Sequence, residues 1–237
     1  MTRTKSTYLA LLAVLLSPMA ANATPIVFDD FEDGDSSDWI FFGGNAAGGG
    51  GGALADRPQE GSFYLSTGWG GEGSNSVFYG GFFKNLDNSG QLTLGNDPWF
   101  NVWVLNQSNA TVDQYTLEVT LREDLDGNGW TNGQEDSLRL DTVFDASSFN
   151  DEWTLLSAPI SSFNNLFTGG DGTFNGRVDE LVVVISGVQG DIGSIVEVDF
   201  DYFAFTSGGP ISVPEPGTLA LLSLGLLGLG LSRRKKA

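Results

Sequence analysis

The chain has 237 residues, with 30 Asp and Glu against 11 Lys and Arg for a formal charge of −19, and it contains neither cysteine nor histidine. That composition excludes a disulfide framework, a thiol nucleophile, a Ser-His-Asp triad and the usual zinc ligand sets, and so acidic a chain is a poor partner for nucleic acid. With 33 glycines, 12% aromatic and only 17% charged residues, it has the apolar surface for a core that disordered acidic tails lack.

Residues 1–23 begin with Arg3 and Lys5, continue through an apolar run over 8–16, and end Ala21-Asn22-Ala23. A charged start, an apolar stretch too short to span and a small-residue site describe a secretory signal peptide, with signal peptidase cutting after Ala23; a retained anchor is the alternative. Setting aside both termini removes Arg3, Lys5, four basic tail residues and Glu215. Residues 24–212 are left with five basic and 29 acidic side chains, a balance near −24. Divalent cations are the obvious neutralisers of so much like charge.

Between the termini the pattern is period 2. Tyr115, Leu117, Val119 and Leu121 alternate with Thr116, Glu118, Thr120 and Arg122, and Val196, Val198, Phe200 and Tyr202 alternate with Glu197, Asp199 and Asp201. Further strands are predicted over 26–31, 62–66, 77–84, 100–105, 137–143, 153–159 and 180–185, separated by turn-formers such as Asp87-Asn88-Ser89-Gly90. No segment there sustains a helical period beyond about one turn. The fold class is therefore all-β, a two-sheet antiparallel β-sandwich of jelly-roll type over 24–208. Gly43 to Gly52, with five consecutive glycines from Gly48, reads as a flexible surface loop.

The strongest chemical signal is Asp124-Leu125-Asp126-Gly127-Asn128-Gly129-Trp130-Thr131-Asn132-Gly133-Gln134-Glu135. It fits the Asp-x-Asp-x-Asn-Gly-x5-Glu spacing of a calcium loop, because Ca²⁺ takes six to eight hard oxygens at ~2.3–2.6 Å. Asp124, Asp126 and Asn128 would offer side-chain oxygens, Trp130 its carbonyl, Asn132 a direct or water-bridged contact, and Glu135 a bidentate closure. The flanks alternate as strands, so the loop joins a hairpin rather than a helix pair and predicts a structural ion. A solvated acidic turn is the bland alternative. A possible second metal site gathers Asp30 and Glu32 beside the first strand with Asp199 and Asp201 on the last; solvent-facing carboxylates are the equal alternative.

At the C-terminus, a linker from residue 209 leads to Val213-Pro214-Glu215-Pro216, an apolar helix predicted over 217–231 and a basic cluster at 233–236. At ~1.5 Å per residue this helix reaches ~22 Å, short of a ~30 Å hydrocarbon core, which suits transient inner-membrane anchoring with the basic end cytoplasmic. Residues 213–237 closely resemble the PEP-CTERM sorting signal. The resemblance implies a Gram-negative host, exosortase processing near Pro214, Glu215 and Pro216, and delivery to the cell surface or beyond.

Several stretches, among them Phe28-Asp29-Asp30-Phe31-Glu32-Asp33-Gly34, Trp99 to Val104, Trp153 to Phe163 and Asp199 to Phe205, resemble in their order the galactose-binding-like jelly rolls found as carbohydrate-binding modules. That resemblance implies a sandwich with structural calcium and, in some relatives, a sugar site on one sheet face or at the loop ends. Sugar binding needs exposed aromatic faces, and Trp69, set among glycines in Thr67-Gly68-Trp69-Gly70-Gly71, is the leading platform, followed by Tyr79 and Trp130. Trp99, Trp103 and Trp153 read as core. No catalytic residue is assigned. The reading is an exported, calcium-stabilised, non-catalytic sandwich of the cell surface or polysaccharide matrix that binds glycan. The alternatives are a polysaccharide hydrolase or lyase using paired carboxylates, and a purely structural surface protein.

Overall fold

The structure, a computed structural model, describes residues 24–44, 47–71, 79–86, 92–123, 135–190 and 194–211. In chain order the strands are β1 (Ile26–Asp29), β2 (Ile40–Gly44), β3 (Ala47–Leu54), β4 (Tyr64–Gly71), β5 (Tyr79–Asn85), β6 (Leu92–Thr93) and β7 (Pro98–Asn106), then β8 (Val112–Arg122), β9 (Asp136–Asp145), β10 (Trp153–Pro159), β11 (Asn164–Thr168), β12 (Arg177–Val178), β13 (Glu180–Gly190) and β14 (Ile195–Ser207). Sheet A runs β10-β7-β14-β4-β3, with β1 also on β14. Sheet B runs β11-β9-β8-β13-β5-β2, and β6 pairs with β12 in a small third sheet. Every pairing is antiparallel. The first and last strands do lie side by side, with Ile26 opposite Phe205.

The alternating residues fill the space between the sheets. Tyr115, Leu117, Val119 and Leu121 of β8 and Leu181, Val183 and Ile185 of β13 are buried against Phe100, Val102 and Val104 of β7 and Val196, Val198 and Phe200 of β14. Phe82 sits at the aromatic centre, 5.2 Å from the Trp39 ring and 5.1 Å from that of Phe200. Each such fully buried ring contributes roughly 1.5–3 kcal/mol. Strict alternation would turn Phe203 outward after Phe200. The register of β14 against β7 shifts between Asp201 and Ala204, where Tyr202 takes φ 54°. That bulge brings Phe203 and Phe205 back into the core and leaves Asp201 on the outer face.

One expectation fails. The glycine run is a strand: β3 pairs with β4 from Ala47–Gly71 to Leu54–Tyr64. Close approach is the reason, because a Cβ at Gly49 would lie 2.6 Å from Trp69 Cδ1. Sites of this kind accept a backbone and no side chain.

Candidate functional site

The two outer faces of the sandwich differ in what stands on them. On sheet B, the residues alternating with the core of β2, β5, β13, β8 and β9 form registered rows across the strands. One row runs Phe42, Gly81, Val184, Glu118, Asp141, and the next Ile40, Phe83, Val182, Thr120, Arg139. The β2–β5 side is aromatic and the β8–β9 side is polar. The Phe42 and Phe83 rings lie 6.2 Å apart. A Cβ at Gly81 would meet Phe42 Cζ at 2.7 Å, and one at Gly44 would lie 2.2 Å from Tyr79 Cζ. Both rings therefore lie across glycines of the neighbouring strand, and Tyr79 keeps 41% of its surface exposed. Beside this platform, Glu118 accepts hydrogen bonds from Arg139 Nη1 at 3.1 Å and from the Ser186 hydroxyl. Arg139 also pairs with Asp141, Nε to Oδ1 at 2.9 Å. These three charged side chains are 21–39% exposed, which leaves them able to meet a ligand's hydroxyls.

Sheet A is covered in part. The segment 55–63 folds over Trp153, Asp199 and Asp201. Trp153 Nε1 donates to the Arg57 carbonyl at 3.0 Å, the Arg57 guanidinium meets Asp199 Oδ2 at 2.8 Å, and the Gln59 and Glu60 amides each donate to Asp201 Oδ2 at 2.9 Å. Asp199 is wholly buried and its carboxyl is pushed up by desolvation, which Ser66, Gln107 and Arg57 oppose. Asp201, also wholly buried, is pushed up to about 7, chiefly by desolvation, with the Glu60 and Glu32 charges adding to the effect. Tyr64 donates to Asp56 at 2.5 Å, and burial raises its hydroxyl to about 12. What stays open there is a cleft of about 380 Å³ lined by Asp56, Arg57, Gln107 and Glu197 among others.

The predicted site residues fare unequally. Trp69 is not a platform: it lies in β4, 1% exposed, stacked on Phe82 with 7° between planes. The glycines that make room for it, Gly49 and Gly80, belong to other strands and bury its ring rather than baring it. Tyr79 stands on the open face. Asp124, Asp126, Asn128, Trp130 and Asn132 lie outside the described residues, as do Ala23, Pro214, Glu215, Pro216 and the predicted 217–231 helix. Glu135 is described and is buried. The second metal set divides. Asp199 is taken by Arg57 and Gln107, and half-buried Asp30 accepts from the Glu32 amide at 3.2 Å. Glu32 accepts from the Ser62 and Phe63 amides at 2.7 and 3.1 Å; only its charge reaches Asp201, whose Oδ1 has no hydrogen-bond partner. Among the described residues no group of three or more carboxylates forms a metal-ligand set. Sequence reasoning missed Phe42, Phe83, Arg139 and Asp141, although the outward positions of β8 and β9 were readable from alternation.

Comparison with known proteins bears on the terminus and the fold. Residues 212–235 match the PEP-CTERM protein-sorting motif. The chain carries an export signal. The motif implies processing by an exosortase during export. No curated protein matches the chain. Among solved structures, the fold is similar to that in a study of promiscuous specificity of carbohydrate-binding modules from the β-sandwich superfamily (TM-score 0.51, 13% identity, 76% of this chain and 61% of that one). It is similar also to the family 11 carbohydrate-binding module of Clostridium thermocellum in complex with a β-1,3-1,4-mixed-linked tetrasaccharide (0.50, 14%, 79% and 98%) and to the solution structure of CtCBM11 (0.52, 13%, 81% and 99%). The chain thus spans under two thirds of the first of these structures and nearly all of the other two. At these identities the likeness is one of fold: a carbohydrate-binding-module-like β-sandwich. Among the described residues no helix is long and apolar enough to cross a membrane.

Proposed function

We propose that this exported sandwich is a non-catalytic glycan-binding protein of the cell surface or extracellular matrix, and that it binds along the open face of sheet B. The observation that carries the reading is the pair of rings laid across Gly44 and Gly81 beside the Glu118–Arg139–Asp141 group. A sugar ring offers C–H groups to an aromatic face and hydroxyls to charged neighbours, and this sheet face supplies both, with β13 between them. Calcium is the proposed stabilising ion, held by the 124–135 loop through Asp124, Asp126, Asn128, Trp130, Asn132 and Glu135. The donor spacing of that loop supports the assignment.

The mixed-linked β-glucan named for one fold relative is the natural first probe. In affinity electrophoresis, gels containing mixed-linked glucan, xylan or the host's own extracellular polysaccharide should retard the exported protein. The double change Tyr79→Ala and Phe42→Ala should abolish retardation while the melting temperature stays near that of the parent. Migration unchanged by every glycan would overturn the binding reading in favour of a structural surface role. Release of reducing ends or unsaturated uronate would overturn its non-catalytic part.

A further inference from the structure

Where β8 and β9 leave sheet B, the Glu123 amide donates to the Asp136 carbonyl at 3.1 Å. Both side chains turn inward, 0% and 2% exposed. Both carboxylates are held by the same stretch of backbone: Asp136 Oδ2 accepts from the Gly172 and Thr173 amides at 3.0 and 3.1 Å, and Glu123 Oε1 accepts from the Asn175 amide, with the Arg177 amide also acting on the Glu123 carboxylate. The other oxygens, Glu123 Oε2 and Asp136 Oδ1, are buried and have no hydrogen-bond partner. Asp171 adds a third negative charge, its carboxylate held by the Thr173 amide at 2.9 Å and Asn175 Nδ2 at 3.1 Å and interacting with that of Asp136.

Two buried carboxylates with orphaned oxygens on one turn make a costly arrangement, since each loses its hydration and repels the other. The nearest basic side chain in sequence, Arg122, is engaged by Glu180. A hard divalent ion supplies what both oxygens lack.

We infer that Glu123 and Asp136 together ligate a divalent cation, calcium by the hardness of the donors, which pins the 170–175 turn to the end of the β8–β9 pair. The described carboxylates do not form a complete ligand set by themselves, so water completes the shell. The consequence is local order, because Thr173, Phe174 and Asn175 line a cleft of about 620 Å³ together with Asn96, Phe163 and Asn165. The inference deepens the calcium part of the function proposed above while using residues outside the ligand set named there.

Calorimetric Ca²⁺ titration of the exported protein tests it, with a thermal melt in chelator and in millimolar Ca²⁺. Glu123→Gln and Asp136→Asn should each weaken Ca²⁺ binding roughly tenfold or more, and should shrink the Ca²⁺-induced rise in melting temperature. Their melting temperatures in chelator should equal or exceed the parent's, because a buried charge is gone, and this guards against misfolding. If both variants bind Ca²⁺ as the parent does while Asp124→Asn and Asp126→Asn abolish binding, the inference fails and the loop reading survives. If the pattern is reversed, the inference stands and the loop reading fails. No Ca²⁺ heat in the parent, together with a higher melting temperature for Glu123→Gln in chelator, means a shared proton takes the ion's place and overturns both.

Discussion

Asp199 and Asp201 stand on the outer face of sheet A yet are wholly buried, whereas Tyr79, Ile40 and Val143 on the outer face of sheet B are 41%, 54% and 63% exposed. The chemistry differs where the roof lies: two charges are under cover there, while Leu54 and Ile195 elsewhere on sheet A, 47% and 44% exposed, meet solvent as the apolar side chains of sheet B do. A face roofed by its own chain must satisfy every polar group it encloses, which is why Arg57, Gln107 and two backbone amides converge on two aspartates. A face left bare carries no such obligation and can hold side chains that gain by meeting a partner.

Removing the roof's anchor is the severest way to break this contrast. Arg57→Ala leaves Asp199 buried without its cation and should cost about 3 kcal/mol of stability in urea denaturation. Next comes Gly81→Ala on the open side, whose methyl would collide with the Val183 carbonyl and press Phe42; a loss of about 2 kcal/mol is expected, with glycan retardation weakened as the ring is displaced. The covered face should also respond to pH. Asp201 is raised to about 7 in the fold, above its ordinary 3.8, with Glu60 and Glu32 facing it. A raised acid favours the fold while protonated, so its contribution is full below about pH 4 and is lost as pH climbs through about 7. In chelator, the stability difference between Asp201→Asn and the parent should therefore grow in the variant's favour from pH 4 to pH 7; a flat difference would remove Asp201 from the account. Smallest in stability is Tyr79→Ala, expected within about 0.5 kcal/mol of the parent, yet it should reduce polysaccharide retardation sharply.

What could be read from the sequence followed side-chain alternation. Strands β8 and β14 were recognisable because apolar residues recur at every second position, and the same pattern put Glu118 on an outer face. The Gly48–Gly52 strand had no side chains to alternate; its place is dictated by what lies across from it, chiefly Trp69 and Phe41. Trp69 misled for the same reason, since glycines adjacent in sequence suggested exposure while glycines adjacent in space enclosed it. The 55–63 roof was equally hidden. Its polar composition suits a solvent loop, and the aspartates it covers lie about 140 residues further along the chain.

A strand built largely of glycine ought to slide, yet the far end of β3 blocks it in one direction. Positions 47, 49, 51 and 53 share one face, and the middle two admit no methyl: at Gly51 it would sit 2.5 Å from the Ser66 carbonyl oxygen and 2.8 Å from the Phe41 ring. Sliding by two residues in one direction drives the Ala53 methyl into that slot. Ala53 thus acts as an end stop in that direction for a run of five residues that could not otherwise tell one alignment from the next.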